Sequence, residues 1–384
     1  MRMSVVPEAD TAHRAFPTAE YEARIAKVRG EMRARGADVL LVDCVEHMAY
    51  LFGYVPPAAI YQPALLPLDG DPVVIVRTLD APTFTEQSWV KDYVSFGDDE
   101  DPVAILTAVV QKRGWAGRSI AVEFDSHFLP VGRFRAIESA LPNARFIDFS
   151  KVIWEIRLIK SEREIAYLRE ASRIADAALI ASINAAAPGV SERECAAVLY
   201  ATALREGADN GRSALLAAGK RTDSLHGRLG DHRFETGDIL HVESIPLVRG
   251  YGARIMRSTV LGEPEPDLAR AASILLAAQQ AQFEAMKPGA PARDVDGILR
   301  RAVLDSGLRE TYTNFTGYTL GYIGLPKTSD FTRAFLPQSD WTLEAGMVFH
   351  MYTYAQGLAF SDTILVTPAG AERLTKSDRR LFVR

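Results

Sequence analysis

Twice in this chain a long helical pattern runs into a Pro-Gly pair and is followed by a shorter helical pattern and then by extended runs. The first instance lies near 165–205, broken at Pro188-Gly189, with Ser191 placed to cap the shorter helix; the second covers 268–286 and 291–306, broken at Lys287-Pro288-Gly289. Proline cannot continue a helix and glycine adopts the backbone that stops one, so each pair is punctuation rather than accident. A helix pair plus strands occurring twice predicts a duplicated unit with a pseudo-twofold axis and a site where the halves join. The extended runs GDILHVES, ARIMRSTVLG, GMVFHMY and SDTILVTPAG are interleaved with the helices without strict alternation, which makes the class α+β.

The segment ahead of the repeat reads differently. Residues 18–35 carry apolar side chains at helical spacing, with Thr18 as the expected cap and Gly36 as the stop. Four short apolar runs follow, ADVLLVD (37–43), DPVVIVR (71–77), SIAVEFD (119–125) and RFIDFS (145–150), with helical patterns between several of them. We therefore expect an α/β domain over 1–153 and a second domain over 154–384, a division that 384 residues accommodate. The formal net charge of -5 supplies no basic field for nucleic acid. The two cysteines, Cys44 and Cys195, are far apart in apolar segments and suggest neither a disulfide framework nor a Cys-based metal site. With Glu8 and Asp10 soon after Arg2 and no run of membrane-spanning length, the expectation is a cytoplasmic protein with no membrane partner.

Several segments together resemble the pita-bread superfamily of Xaa-Pro aminopeptidases, prolidases, creatinase and ectoine hydrolase: LIKSEREIAYLREASRIADAAL, GDILHVES followed by GYGARIMRSTVLGEP, TLEAGMVFHMY, and SDTILVTPAGAERLT. The resemblance extends over nearly the whole chain and implies a creatinase-like N-terminal α/β domain followed by a C-terminal pita-bread domain with duplicated halves. It also implies where the metallopeptidases of that superfamily hold two metal ions. At those five positions this chain carries Glu243, Arg254, Tyr318, Tyr352 and Ser361. One carboxylate beside a permanent cation is a poor donor set for a pair of dications, so no metal and no cofactor are expected.

The resemblance places His226, in RTDSLHGRLGDHRFETGD, where the superfamily keeps an active-site histidine outside the metal shell. An imidazole there can hand a proton to a leaving nitrogen or take one from water. Glu243 reads as a base, as a nucleophile forming an acyl-enzyme, or as half of an ion pair with Arg254 that plugs an emptied cavity. Arg254 is the better substrate anchor, because a guanidinium grips a carboxylate with two parallel hydrogen bonds; Arg257 is as well explained by structure as by substrate contact. Tyr318 and Tyr352, with Tyr251 and Tyr354, would offer ring faces to a cationic group or simply fill space. Tyr54 and Tyr61, in FGYVPPAAIYQP, are candidates for contacts to a neighbouring subunit's site, since the resemblance implies a homodimer with its site near the interface. His232 and His241 match no such position and read as structural. Creatinase's two glutamates fall here on Met256 and Phe360, which argues against creatine as substrate.

Three functions follow as expectations. The leading one is a metal-independent hydrolase of a C–N bond in a small zwitterionic compound. The others are a metal-dependent Xaa-Pro dipeptidase and a catalytically inactive binding protein of the same fold.

Overall fold

A computed structural model describes residues 14–57, 60–210, 214–323 and 332–384. Arg2, Glu8 and Asp10 lie outside the described residues. The chain divides into two compact units, with the break between Arg157 and Leu158. That is a few residues beyond 153, because Val152 and Ile153 bury in the N-terminal core and hold their helix there.

The N-terminal unit contains strands β1 (Val39–Val42), β2 (Ala64–Pro67), β3 (Val73–Arg77), β4 (Tyr93–Phe96), β5 (Ser119–Val122) and β6 (Arg145–Asp148) in one sheet of order β4-β3-β2-β1-β5-β6. Its helices are α1 (Thr18–Arg35), α2 (Val45–Phe52), α3 (Ala81–Gln87), α4 (Pro102–Lys112), α5 (Val131–Ala140) and α6 (Val152–Ile156). Strand side chains alternate between faces. Accordingly Leu40 and Val42 pack with Ile25, Val28 and Met32 of α1, while Val39 and Leu41 pack with Leu106 and Val110 of α4 and Ile137 of α5. Helices thus cover both faces of the sheet. Thr18 opens α1 instead of capping it; Pro17 is the N-cap, and Gly36 ends the helix at φ 67°.

The C-terminal unit begins with α7 (Glu162–Ala185) and α8 (Glu192–Arg205). Both start with a reciprocal capping box, Ser161 with Glu164 and Ser191 with Glu194, which satisfies two of the amide groups a helix start leaves over. Then come β7 (Ala214–Ala218), β8 (Ile239–Ser244), β9 (Leu247–Val248), β10 (Tyr251–Gly252), β11 (Ile255–Val260), α9 (Pro266–Ala285), α10 (Ala292–Asp305), β12 (Gly317–Thr319), β13 (Val348–Ala355), β14 (Leu358–Thr367), β15 (Gly370–Arg373) and β16 (Phe382–Val383). The main sheet has the order β12-β13-β14-β11-β8-β7, with β15 beside β14 and β16 beside β11.

The duplication is explicit in the hydrogen bonds. Gly189 donates to the Phe234 carbonyl at 2.8 Å and Gly289 to that of Leu343 at 2.8 Å; Glu192 donates to His232 at 3.0 Å and Ala292 to Trp341 at 3.0 Å. One sequence offset relates Phe234 to Leu343, Gly237 to Gly346, His241 to His350 and Glu243 to Tyr352. Gly237 and Gly346 share a φ of 93°, a conformation that suits glycine, just before β8 and β13. Each half also covers its strands the same way. Leu240, Val242 and Ile255 pack against α7 and α8; Phe349, Met351 and Ile364 pack against Phe283 of α9 and Val295 of α10. The opposite face of the sheet is left to other side chains.

Candidate functional site

Directly opposed residues of an antiparallel pair share a face, so the register places those side chains in rows. The middle row is Leu215, Glu243, Met256, Ser361 and Tyr352, crossing β7, β8, β11, β14 and β13. Two residues along lies Thr363, His350 and Tyr318, joined by Arg254, whose backbone exchanges two 2.9 Å bonds with the Thr363 hydroxyl. Two residues the other way lies Ala217, His241 and Ser258. Each step along a strand pair of residues is about 7 Å.

These rows assemble most of the sequence-derived candidates. Arg254 Nη1 donates to the Tyr318 hydroxyl at 2.7 Å and lies 3.6 Å from Glu243 Oε1. The same hydroxyl is 2.9 Å from His350 Nδ1; a phenol that accepts from Arg254 donates onward to that nitrogen. Tyr352 stacks on His350 at 5.5 Å and accepts from Asn314 Nδ2 at 3.2 Å. Burial pushes the Tyr352 phenol up, with Tyr354 and Glu243 adding to the rise against the Asn314 bond, so it stays protonated at neutral pH. Tyr354 lies farther along β13, where the Arg309 guanidinium sits 4.4 Å from its ring centre.

His226 stands apart from the buried rows. It is exposed, on a loop fixed by the Arg221–Glu192 ion pair, by Arg221 Nη1 donating to the Arg228 carbonyl at 2.7 Å, and by Gly230 donating to Glu192 at 3.1 Å. That loop lies over the sheet: a Cβ on Gly227 would be 3.5 Å from that of Ala217, the neighbour of His241. His226 is close enough for its charge to act on His241, whose pKa falls to about 4, first through burial and then through His226. His241 is therefore uncharged at neutral pH. It is fully buried, and neither ring nitrogen has a hydrogen-bond partner among the described residues.

Other candidates sit elsewhere, for identifiable reasons. Arg257 is one residue out of phase with Arg254's row and points to the helix-covered face. There its fully buried guanidinium pairs with Asp362 at 2.9 Å and donates to the carbonyls of Met256, Ser361, Ser377 and Asp378, so its donors serve the scaffold rather than a substrate. Asp362 is likewise consumed by Arg257 and Thr375. Tyr251 donates to Glu164 of α7 at 2.8 Å and stacks on Tyr167, away from the rows.

Tyr54 and Tyr61 belong to the interior of the N-terminal unit. Tyr54 is buried edge-on against Phe84 and donates to Gln62 at 3.0 Å. Tyr61, beneath the Arg133 guanidinium, donates to Asp43 at 3.1 Å. Burial raises the Asp43 carboxyl to about 7, opposed by its bond from Ser126 and reinforced by Glu123. Glu123, itself raised by burial, lies 2.8 Å from His47 Nδ1.

Residues 166–368 match the metallopeptidase family M24, and 24–159 match the creatinase/prolidase N-terminal domain. This chain belongs to family M24. Among its M24 relatives is an ectoine hydrolase from Halomonas elongata, 28% identical over 96% of this chain and 98% of that protein. An Xaa-Pro dipeptidase from Pyrococcus horikoshii is 31% identical over 66% of this chain and 73% of its own length. Among M24 structures, the prolidase from Pyrococcus horikoshii OT3 superposes with a TM-score of 0.82 at 26% identity, covering 94% of this chain and 100% of that one. The prolidase from Thermococcus sibiricus does so at 0.84 and 25%, covering 95% and 99%.

The side chains of this M24 face do not fit the metal centre that the family name implies. Glu243 faces a guanidinium, the other places carry phenols and a hydroxyl, and the described residues contain no group of three or more His, Cys, Asp or Glu arranged to hold a metal. No described helix is long and apolar enough to cross a membrane.

Proposed function

We propose that this M24 chain is a metal-independent hydrolase that cleaves a C–N bond, of amide, amidine or guanidine type, in a small zwitterionic compound. The observation that carries the proposal is Arg254 Nη1 lying 2.7 Å from the Tyr318 hydroxyl and 3.6 Å from Glu243. A fixed cation in that place repels a dication and instead offers the planar donor fork that carboxylates fit. Keeping two charges buried costs desolvation, which weighs against an inert plug, and a cation beside three aromatic rings gives a ligand both a charge and ring faces to meet.

In the proposed reaction the substrate carboxylate docks on Arg254, and its cationic end lies against Tyr318 and Tyr352. Glu243 takes a proton from water as the water oxygen bonds to the C–N carbon. His226 delivers a proton to the nitrogen as the C–N bond breaks, and the proton held by Glu243 restores His226. The covalent variant, in which Glu243 itself bonds to carbon before water releases the product, uses the same two groups. The likeness to an ectoine hydrolase over nearly the full length supports a non-peptide C–N substrate.

The test is a hydrolysis screen on cyclic amidines, guanidino acids, N-acyl diamino acids and Xaa-Pro dipeptides, each with and without chelator. Turnover of a non-peptide substrate that survives chelator and disappears in Glu243→Gln is the expected result. Xaa-Pro dipeptide cleavage abolished by chelator and restored by manganese or cobalt would overturn the proposal in favour of a peptidase, the activity named for the Pyrococcus relative.

A further inference from the structure

The two halves of the C-terminal unit each place a histidine two residues before the middle row, His241 before Glu243 and His350 before Tyr352, on the same face. Their surroundings differ. His350 is held through Nδ1 by Tyr318 and sandwiched against Tyr352, so its orientation is set by the protein. His241 has small neighbours in its row, Ala217 on one side and Ser258 on the other. The Ser258 hydroxyl is turned to the Ala359 backbone, from whose N–H it accepts at 2.8 Å, and so supplies nothing to the imidazole. A buried polar group lacking a partner costs roughly 1–3 kcal/mol. An apolar side chain of similar size would have avoided that cost.

We propose that His241 is a ligand-binding residue: its imidazole hydrogen-bonds an uncharged polar group, such as an amide, at the end of the ligand remote from Arg254. This rests on the reading of Arg254 as the carboxylate anchor and extends it. The ligand lies across the three rows, with its carboxylate at Arg254, its central atoms over Glu243 and an uncharged donor or acceptor at His241. It reaches the face beneath the loop that carries His226. Small aliphatic carboxylates with an amide at the far end belong to this class; those with only methylene groups there do not satisfy the imidazole.

A matched pair of probes separates this idea from the catalytic proposal, because binding is read without turnover. Dissociation constants of 4-acetamidobutyrate and its apolar isostere 6-methylheptanoate are measured by calorimetry on Glu243→Gln protein, with and without a further His241→Leu change. The expected result is a preference for the amide of about tenfold, one good hydrogen bond, that vanishes in His241→Leu while 6-methylheptanoate affinity is unchanged. His241→Gln, which keeps an amide hydrogen-bonding group, should restore part of the preference. A melting temperature equal to or above that of the parent is expected for His241→Leu, since the change removes an unpartnered polar group; a purely structural histidine would give a fall. An undiminished amide preference in His241→Leu, equal weakening of both probes, or binding of neither would overturn the assignment. None of these results depends on whether the wild-type chain hydrolyses anything.

Discussion

The β8 half and the β13 half of the C-terminal unit have the same backbone plan, yet their inward side chains are used differently. In the β13 half, Tyr352 is bonded to Asn314 and His350 to Tyr318, so phenol and imidazole are tied into the protein. In the β8 half the equivalent places hold Glu243, a carboxylate facing Arg254, and His241, an imidazole with no partner among the described residues. Duplication supplies the positions, and what occupies them differs between the halves. On the reading proposed above, the β13 half is a wall and the β8 half the reactive side.

The largest expected effect breaks the equivalence of the two halves outright. Glu243→Gln should lower kcat by about 10³-fold or more, the range expected for losing a general base or nucleophile, whereas Tyr352→Phe should cost less than about tenfold. Steady-state kinetics on a substrate found in the screen checks both. Comparable losses would mean that the halves share the chemistry.

A stability comparison follows between the two arginines of β11's neighbourhood. Arg257→Leu leaves four backbone carbonyls without their donor and Asp362 with only the longer ion pairs to Arg379 at 3.3 Å and Arg373 at 3.4 Å, and should destabilise by about 2–4 kcal/mol in urea unfolding. It should do so without the selective loss of carboxylate binding expected for Arg254→Leu. A selective loss of binding in Arg257→Leu would return that residue to the site.

The N-terminal unit provides a pH test. Asp43 titrates at about 7 in the fold, against about 3.9 in an unfolded chain. The folded state therefore holds a proton that the unfolded state has lost, and the stability this confers is complete below about pH 4 and lost as pH rises to about 7. Asp43→Asn should flatten that fall, by a few kcal/mol at most, when denaturant midpoints are followed across this window. An unchanged slope would show that Asp43 ionises normally.

The smallest effect concerns the paired glycines. Gly237→Ala and Gly346→Ala meet the same φ of 93°, and each should cost about 1 kcal/mol from backbone alone. The second should cost more, because a Cβ on Gly346 would sit 2.9 Å from Ile159 Cγ2 while one on Gly237 meets nothing within 4 Å. Equal costs would show that only the backbone matters.

Much of the scaffold was legible because its signals are local. The Pro-Gly breaks and Ser191 marked the helix pairs, and Gly36 marked the end of α1. β2 and β4 were not legible. β2 starts directly after Pro63 and ends on Pro67, and β4 is a short edge strand with exposed alternate residues, so neither offers a clear strand pattern. Thr18 looked like a cap, but Pro17 already supplies the extended backbone that starts the helix.

The site was legible in part. Resemblance gathered Glu243, Arg254, Tyr318 and Tyr352, and the register places them on one face. For the other residues strand phase decides the placement. Arg257 lies three residues from Arg254 and so falls on the opposite face. His241 lies two from Glu243 and so shares its face, although it read as structural. Alternation along GDILHVES carried that signal, but which face was covered by helices depended on the packing of α7 and α8, and that is tertiary. His350 went unnoticed for the same reason.

On the reading proposed above, Arg254 and its tyrosines stand where a metallopeptidase would hold metal. The most direct measurement is the metal content of purified protein together with calorimetric titration of manganese, in wild type and in Arg254→Asp. Substoichiometric metal and no saturable manganese binding in the wild type is the predicted result. Stoichiometric metal, or tight manganese binding by the wild type that chelator reverses, would contradict the account.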